Sequence, residues 1–202
     1  IDIVVEKGSL LNAEYPSAVA AGNVETSSRI VDLVLGALSG LMPLRIPAAS
    51  QATMNNVAMG GIGENGARWD YYETICGGGG GHARGQGISA RHSHMTNTLN
   101  TPVESLESHY PLRVLEYSVR KKSGGSGNYR GGDGVIRSYQ FLEDAMVTLL
   151  TERRCSAPWG AAGALPGSLG ENSLNGERLA SKCAIQVRIG DILTIKTPGG
   201  GG

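Results

Sequence analysis

Between Thr26 and Met42 the apolar residues Ile30, Val34, Ala37, Leu38 and Leu41 recur at helical spacing. Thr26, Ser27 and Ser28 stand where N-caps belong, Asp32 falls in the first turns and Pro43 follows as a stop. The pattern predicts one amphipathic helix near 27–42. Gly36 and Gly40 inside it each cost about 1 kcal/mol relative to Ala, which points to another backbone packed closely against them or to a frayed end.

From Pro47 to Thr101 the chain is polar, glycine-dense and nearly without apolar period, and is expected to be long loops, a form uncommon without a function. Beyond Leu112 the period changes to two. Leu115, Tyr117 and Val119 alternate with polar residues, and Val135, Arg137, Tyr139 and Phe141 alternate with Ile136, Ser138 and Gln140. A short apolar run, Met146 to Leu150, follows. Ile185, Val187 and Ile189 lead into Gly190-Asp191, a glycine-first pair suited to a type II′ hairpin, and Ile192, Leu193 and Ile195 form the expected return strand. The glycine groups 124–127 and 131–134 are spaced as hairpin or bulge turns, without a repeat.

The expected fold is therefore α+β and β-rich, mainly antiparallel in its C-terminal half. A helix-plus-loop region (1–110) precedes a β-rich region (111–202), with a single continuous domain as the alternative.

Composition sharpens this picture at one point: 31 of 202 residues are Gly, about twice the usual ~7%. Such a chain is expected to use tight turns and close backbone approaches. Eighteen basic residues balance 18 acidic ones, so nothing steers a polyanion and no nucleic-acid partner is expected. Three scattered cysteines without a C-x-x-C pair suit reduced thiols in a cytoplasm, and no leader or membrane-spanning run is apparent. A start at Ile1 and an end at Gly199-Gly200-Gly201-Gly202 suggest a fragment of a longer subunit.

Gly61-Ile62-Gly63-Glu64-Asn65-Gly66 matches G-x-G-x-x-G by letter but lacks the strand and helix that a dinucleotide site requires. Neither a P-loop nor a G-x-S-x-G elbow occurs. His92 and His94, two apart, would project from the same face of an extended segment, close enough to share a metal or flank a substrate. The alternative is that one faces solvent while the other caps a turn. Asn97 and Asn100, with Gln51, Asn55 and Asn56 upstream, supply carboxamides whose donors and acceptors match a lactam or ureide edge, or that merely satisfy turn backbone. Glu152-Arg153-Arg154 ends an apolar strand, where carboxylate and guanidinium could reach a cleft or pair with each other on the surface.

The string His94-Met95-Thr96-Asn97-Thr98, followed by Asn100-Thr101-Pro102-Val103-Glu104, resembles the C-terminal part of the hydantoinase B/5-oxoprolinase family, which includes acetone and acetophenone carboxylase subunits. Ala21-Gly22-Asn23-Val24-Glu25-Thr26-Ser27, Ala49-Ser50-Gln51, Met54-Asn55-Asn56, Tyr71-Tyr72-Glu73-Thr74, the stretch from Tyr129 to Gly134, Leu150 to Arg154 and the Thr197-Pro198 tetraglycine end appear in the family's order. Arg91, Cys76 and the short stretch from Gly170 to Lys182 depart from its pattern.

The resemblance implies a subunit of an ATP-dependent cyclic-amide hydrolase opening hydantoin or 5-oxoproline rings, inactive as this fragment alone. It implies a hydantoinase A-type partner that binds ATP and phosphorylates the substrate. It also implies an N-terminal remainder of the same subunit whose His/Asp motifs hold a divalent metal. On that reading His92 or His94 transfers protons, Asn97, Asn55 and Asn56 orient the ring amide with Gln51 and Asn100 nearby, and Glu152 or Glu73 orients water. A ketone carboxylase subunit of the same family, recognisable by bicarbonate dependence, and a non-catalytic assembly module remain as alternatives.

Overall fold

A computed structural model describes residues 2–19, 22–63 and 66–202. Ile1, Ala21 of the first family motif and Glu64-Asn65 of the G-x-G-x-x-G string lie outside the described residues. The elements run α1 (Gly22–Ser39), β1 (Asn56–Ile62), β2 (Arg68–Thr74), α2 (Val103–His109), β3 (Leu112–Arg120), β4 (Gly134–Phe141), β5 (Ala145–Leu150), β6 (Glu171–Leu174), β7 (Glu177–Arg178), β8 (Lys182–Val187) and β9 (Ile192–Lys196). The strands form two antiparallel sheets, β2-β1-β5-β8 and β3-β4-β9-β6-β7, giving the expected β-rich α+β fold. Among the described residues no helix is long and apolar enough to cross a membrane.

Period-two alternation places the core. Val57 and Met59 of β1, Val147 and Leu149 of β5, Val135, Tyr139 and Phe141 of β4, and Leu193 and Ile195 of β9 meet in one buried cluster drawn from both sheets. The ladder from Asn56↔Leu150 to Gly60↔Met146 joins the two halves of the chain across residue 110.

The stretch expected to be loop contains the β1–β2 hairpin. Its signal was hidden because β1, Asn-Val-Ala-Met-Gly-Gly-Ile, has small residues where a strand normally carries large ones. At Gly60 a Cβ would lie 2.7 Å from Asp70 Oδ1 and 2.9 Å from Trp69 O, so the neighbouring strand leaves no room for a side chain.

The hairpin expected at Gly190-Asp191 does not form. Asp191 N–H bonds to Arg188 O with Gly190 at φ +90°, a glycine-third turn that carries the chain from β8 in one sheet to β9 in the other.

Helix α1 begins earlier than the cap residues suggested and ends before Gly40. Ser27 and Ser28 lie inside it and bond back to Val24 O. Its buried row is Glu25, Ser28 and Asp32, whereas Ile30, Leu33 and Val34 are exposed. The amphipathic expectation is thus reversed, because polar partners elsewhere in the fold receive the two carboxylates. Gly36 lies against the Trp159 indole rather than another backbone, and nothing crowds Gly40.

The glycine groups form a backbone-only junction rather than simple turns. Gly199 to Gly202 are buried among residues 77–81, 123–132 and 159–168. The N–H groups of Gly200, Gly201 and Gly202 donate in turn to Gly132 O, Ala49 O and Leu165 O. Three successive donors reaching three different segments is the pattern of an extended chain with three residues per turn. In return Gly200 O accepts from Gly125 N, and Gly201 O from Gly81 N. A Cβ on Gly200 would sit 1.9 Å from Gly79 O.

Gly200→Ala is expected to cost at least about 3 kcal/mol of stability in denaturant titrations, since only backbone movement relieves the clash. Gly40→Ala, in open space on the helix end, is expected to change stability by less than about 1 kcal/mol.

Candidate functional site

The segment carrying His92 and His94 is not an extended strand. Ala90 and His94 take φ values of +52° and +56°, so the chain turns between the two imidazoles and they do not stand side by side. Both nevertheless line one cavity of about 250 Å³, together with Asp32, Ser50, Gly79, Gly80, His82, Arg91 and Trp159. At about 30 Å³ per water this is room for roughly eight waters, enough for a monocyclic ring and too little for a nucleotide.

Each histidine is held by a hydroxyl. His94 Nε2 lies 3.0 Å from Ser50 Oγ. His92 Nε2 lies 3.2 Å from Thr98 Oγ1, which in turn pairs with Thr74 Oγ1 at 2.7 Å. Burial pushes both imidazoles below their ordinary value of 6.5; at His94 the Asp32 carboxylate pulls the other way and Arg153 adds to the lowering. Both are therefore neutral at pH 7 and able to accept a proton.

Beneath the cavity Asp32 is buried and ion-paired with Arg153, with Arg29 3.7 Å away. Burial raises the Asp32 carboxyl and lowers the Arg153 guanidinium to about 10, each offset by the other's charge. Arg153 and Glu152 do not pair with each other: Glu152 bonds to Lys182 at a half-exposed edge.

The other candidates form scaffolding networks. Asn55 Nδ2 donates to Gln51 Oε1 at 2.8 Å and Ile75 O at 2.9 Å, while its Oδ1 accepts from Arg154. Asn56 Nδ2 donates to Glu25 Oε2 and Leu150 O, both at 3.0 Å. Glu73 accepts from Arg137 Nε at 2.9 Å, Tyr71 Oη at 2.8 Å and Asn100 Nδ2 at 2.7 Å. The Arg137 guanidinium is fully buried, 4.3 Å from the centre of the Tyr117 ring. Asn97 is exposed on the histidine loop.

Of the residues singled out from sequence, the fold thus brings His92 and His94 to the cavity and turns Gln51, Asn55, Asn56, Glu73 and Asn100 into internal hydrogen bonds. Asp32, Ser50, His82, Arg91 and Trp159 complete the wall. Only the helical spacing of Glu25, Ser28 and Asp32 marked any of them in the sequence. Among the described residues no three His, Cys, Asp or Glu side chains are grouped to hold a metal ion, so the cavity does not fit a divalent cation and no step is routed through one.

Glu73→Ala is expected to cost about 3–5 kcal/mol in denaturant titrations because it strands a buried guanidinium, and Glu73→Ala combined with Arg137→Met to cost less than the single change. NMR titration of the imidazole protons is expected to place both His92 and His94 below 6.5. A midpoint above that for either ring would contradict the burial described.

The fold and the chain's relatives agree. An ATP-dependent caprolactamase structure from Pseudomonas jessenii superposes with a TM-score of 0.83 over 98% of this chain and 37% of that one, at 23% identity, a likeness of fold. An uncharacterized protein of Methanocaldococcus jannaschii is 44% identical over the whole chain, which spans 36% of its length. The 5-oxoprolinase of Dictyostelium discoideum is 42% identical over 98% of the chain, corresponding to 15% of that protein. The family model described as Hydantoinase B/oxoprolinase matches residues 1–202, and the chain belongs to that family.

Proposed function

We propose that this chain is part of a subunit of an ATP-dependent cyclic-amide hydrolase that opens hydantoin-like or 5-oxoproline-like rings. The observation that carries the reading is the ring-sized cavity walled by two neutral imidazoles. Family membership and the names of the relatives support the same chemistry.

A ring amide resists attack because resonance stabilises it. Phosphorylating its oxygen converts that oxygen into a leaving group, which is the part ATP plays in this proposal. The cavity is too small for a nucleotide and the sequence has no P-loop, so ATP is assigned to a hydantoinase A-type partner. His92 and His94 are assigned proton transfer, with His94 favoured because it contacts a buried hydroxyl. Asn97 is assigned to the ring amide from the exposed loop. Gln51, Asn55, Asn56, Glu73 and Asn100 are assigned an indirect role, holding the strands that carry the cavity, and Glu152 lies at its periphery.

The complete subunit with its A-type partner, ATP and a panel of cyclic amides is expected to open a ring with stoichiometric ADP release and no bicarbonate requirement. ATP turnover that depends on bicarbonate and a ketone would replace this reading with the carboxylase one. His94→Ala is expected to lower turnover by about 100-fold or more. Undiminished turnover would remove His94 from the mechanism.

A further inference from the structure

Ser50 has no role in the reading above, yet its surroundings set it apart. Its Oγ accepts the Ala52 N–H at 3.2 Å and lies 3.0 Å from His94 Nε2. With one lone pair taken by Ala52, the hydroxyl proton is free to point at the imidazole, which makes Nε2 the acceptor and places the ring proton on Nδ1. A hydroxyl held against a neutral imidazole nitrogen at hydrogen-bond distance is the arrangement of an activated nucleophile and its base.

Three further observations converge on this pair. Both partners belong to strained backbone: Ala52 and His94 take φ values of +46° and +56°, and Arg153, which holds Asp32, takes +61°. Non-glycine residues rarely adopt such angles, which cost of order 1–3 kcal/mol each and concentrate at functional sites. Second, Asp32 lies buried near His94 and favours its charged form, whereas Arg153 opposes it; Arg29, His82, His92 and Arg91 are the remaining ionisable groups at or beneath the cavity. Third, the Gly80 N–H has no hydrogen-bond acceptor among the described residues and Gly80 lines the same cavity, a donor unspent within reach of developing negative charge.

We propose that Ser50 is a nucleophile with His94 as its base, and that ring opening passes through an ester on Ser50 rather than by direct attack of water. The proposal rests on the cyclic-amide reading for its substrate. Oγ attacks the O-phosphorylated ring carbon, the Oγ–C bond forms, and the hydroxyl proton passes to His94 Nε2. Phosphate departs with the electron pair of its C–O bond, leaving a ring imidate on Ser50. One water adds to that carbon and the C–N bond breaks, its electron pair and the protons relayed by His94 going to nitrogen, which leaves an open-chain ester. A second water, deprotonated by His94, cleaves the C–Oγ bond, and Oγ regains its proton. One phosphorylated ring and two waters give one amino acid and one phosphate.

A fluorophosphonate, which reports an activated serine without any cyclic amide, tests the pair in this chain. Peptide mass spectrometry is expected to find the adduct on Ser50, lost in Ser50→Ala and formed about 100-fold more slowly in His94→Ala and His94→Gln. Circular dichroism of each variant confirms that it is folded. An unlabelled Ser50 in the folded wild-type chain overturns the proposal, as does labelling unchanged by both histidine variants. Labelling of Ser50 in a chain whose complete enzyme opens no cyclic amide would overturn the substrate reading and leave the nucleophile standing.

Discussion

Backbone packed directly on backbone is the constraint from which the rest of the structure follows. Gly199 to Gly202 run between three other glycine segments at distances that admit no side chain, and their amides are satisfied by Gly132, Ala49 and Leu165. A buried peptide group without a partner is costly, so a segment of this kind is stable only when every neighbour is in place at once. The junction ties the loop before β1, the loop after β2, the β3–β4 connection and the segment before β6 to the end of the chain. The cavity wall at Gly79 and Gly80 belongs to that same junction, which is why it can be narrow and still fixed in shape.

Around the junction the fold places charge where a core of this size would ordinarily place carbon. Arg137 with Glu73 and Asp32 with Arg153 are buried pairs supported by hydroxyls and carboxamides. Buried pairs give little net stability but penalise any arrangement that separates them. Here the Asp32–Arg153 pair links α1 to the end of β5, and it lies beneath His94. Position and electrostatics of the cavity are therefore set by the same contact.

Much of the architecture was legible in the residues. The alternation of Val135, Arg137, Tyr139 and Phe141 marked β4 and its inward face, even though one inward residue is an arginine. The β1–β2 hairpin was not legible, because Gly60 and Gly61 replace the side chains that a strand pattern is read from. Gly190 identified a turn correctly and the wrong pairing, since a turn residue fixes local dihedrals and not which sheet the next strand joins. In the site, His92 and His94 were visible as a pair; the reason they share a cavity, a chain reversal at positive φ, was not.

The sequence by itself determined the family, through motifs in fixed order, and the β-rich class, through period-two patterning, because both are written in residues near one another. Only the tertiary structure decided which polar residues face a cavity and which are consumed inside the protein. Asn55 and His94 are equally plausible ligands as letters. One is spent on Gln51, Ile75 and Arg154, while the other is left beside Ser50 at an open wall. That difference depends on contacts between residues far apart in the chain, and hydrogen-bonding capacity already used by the fold is not available to a substrate.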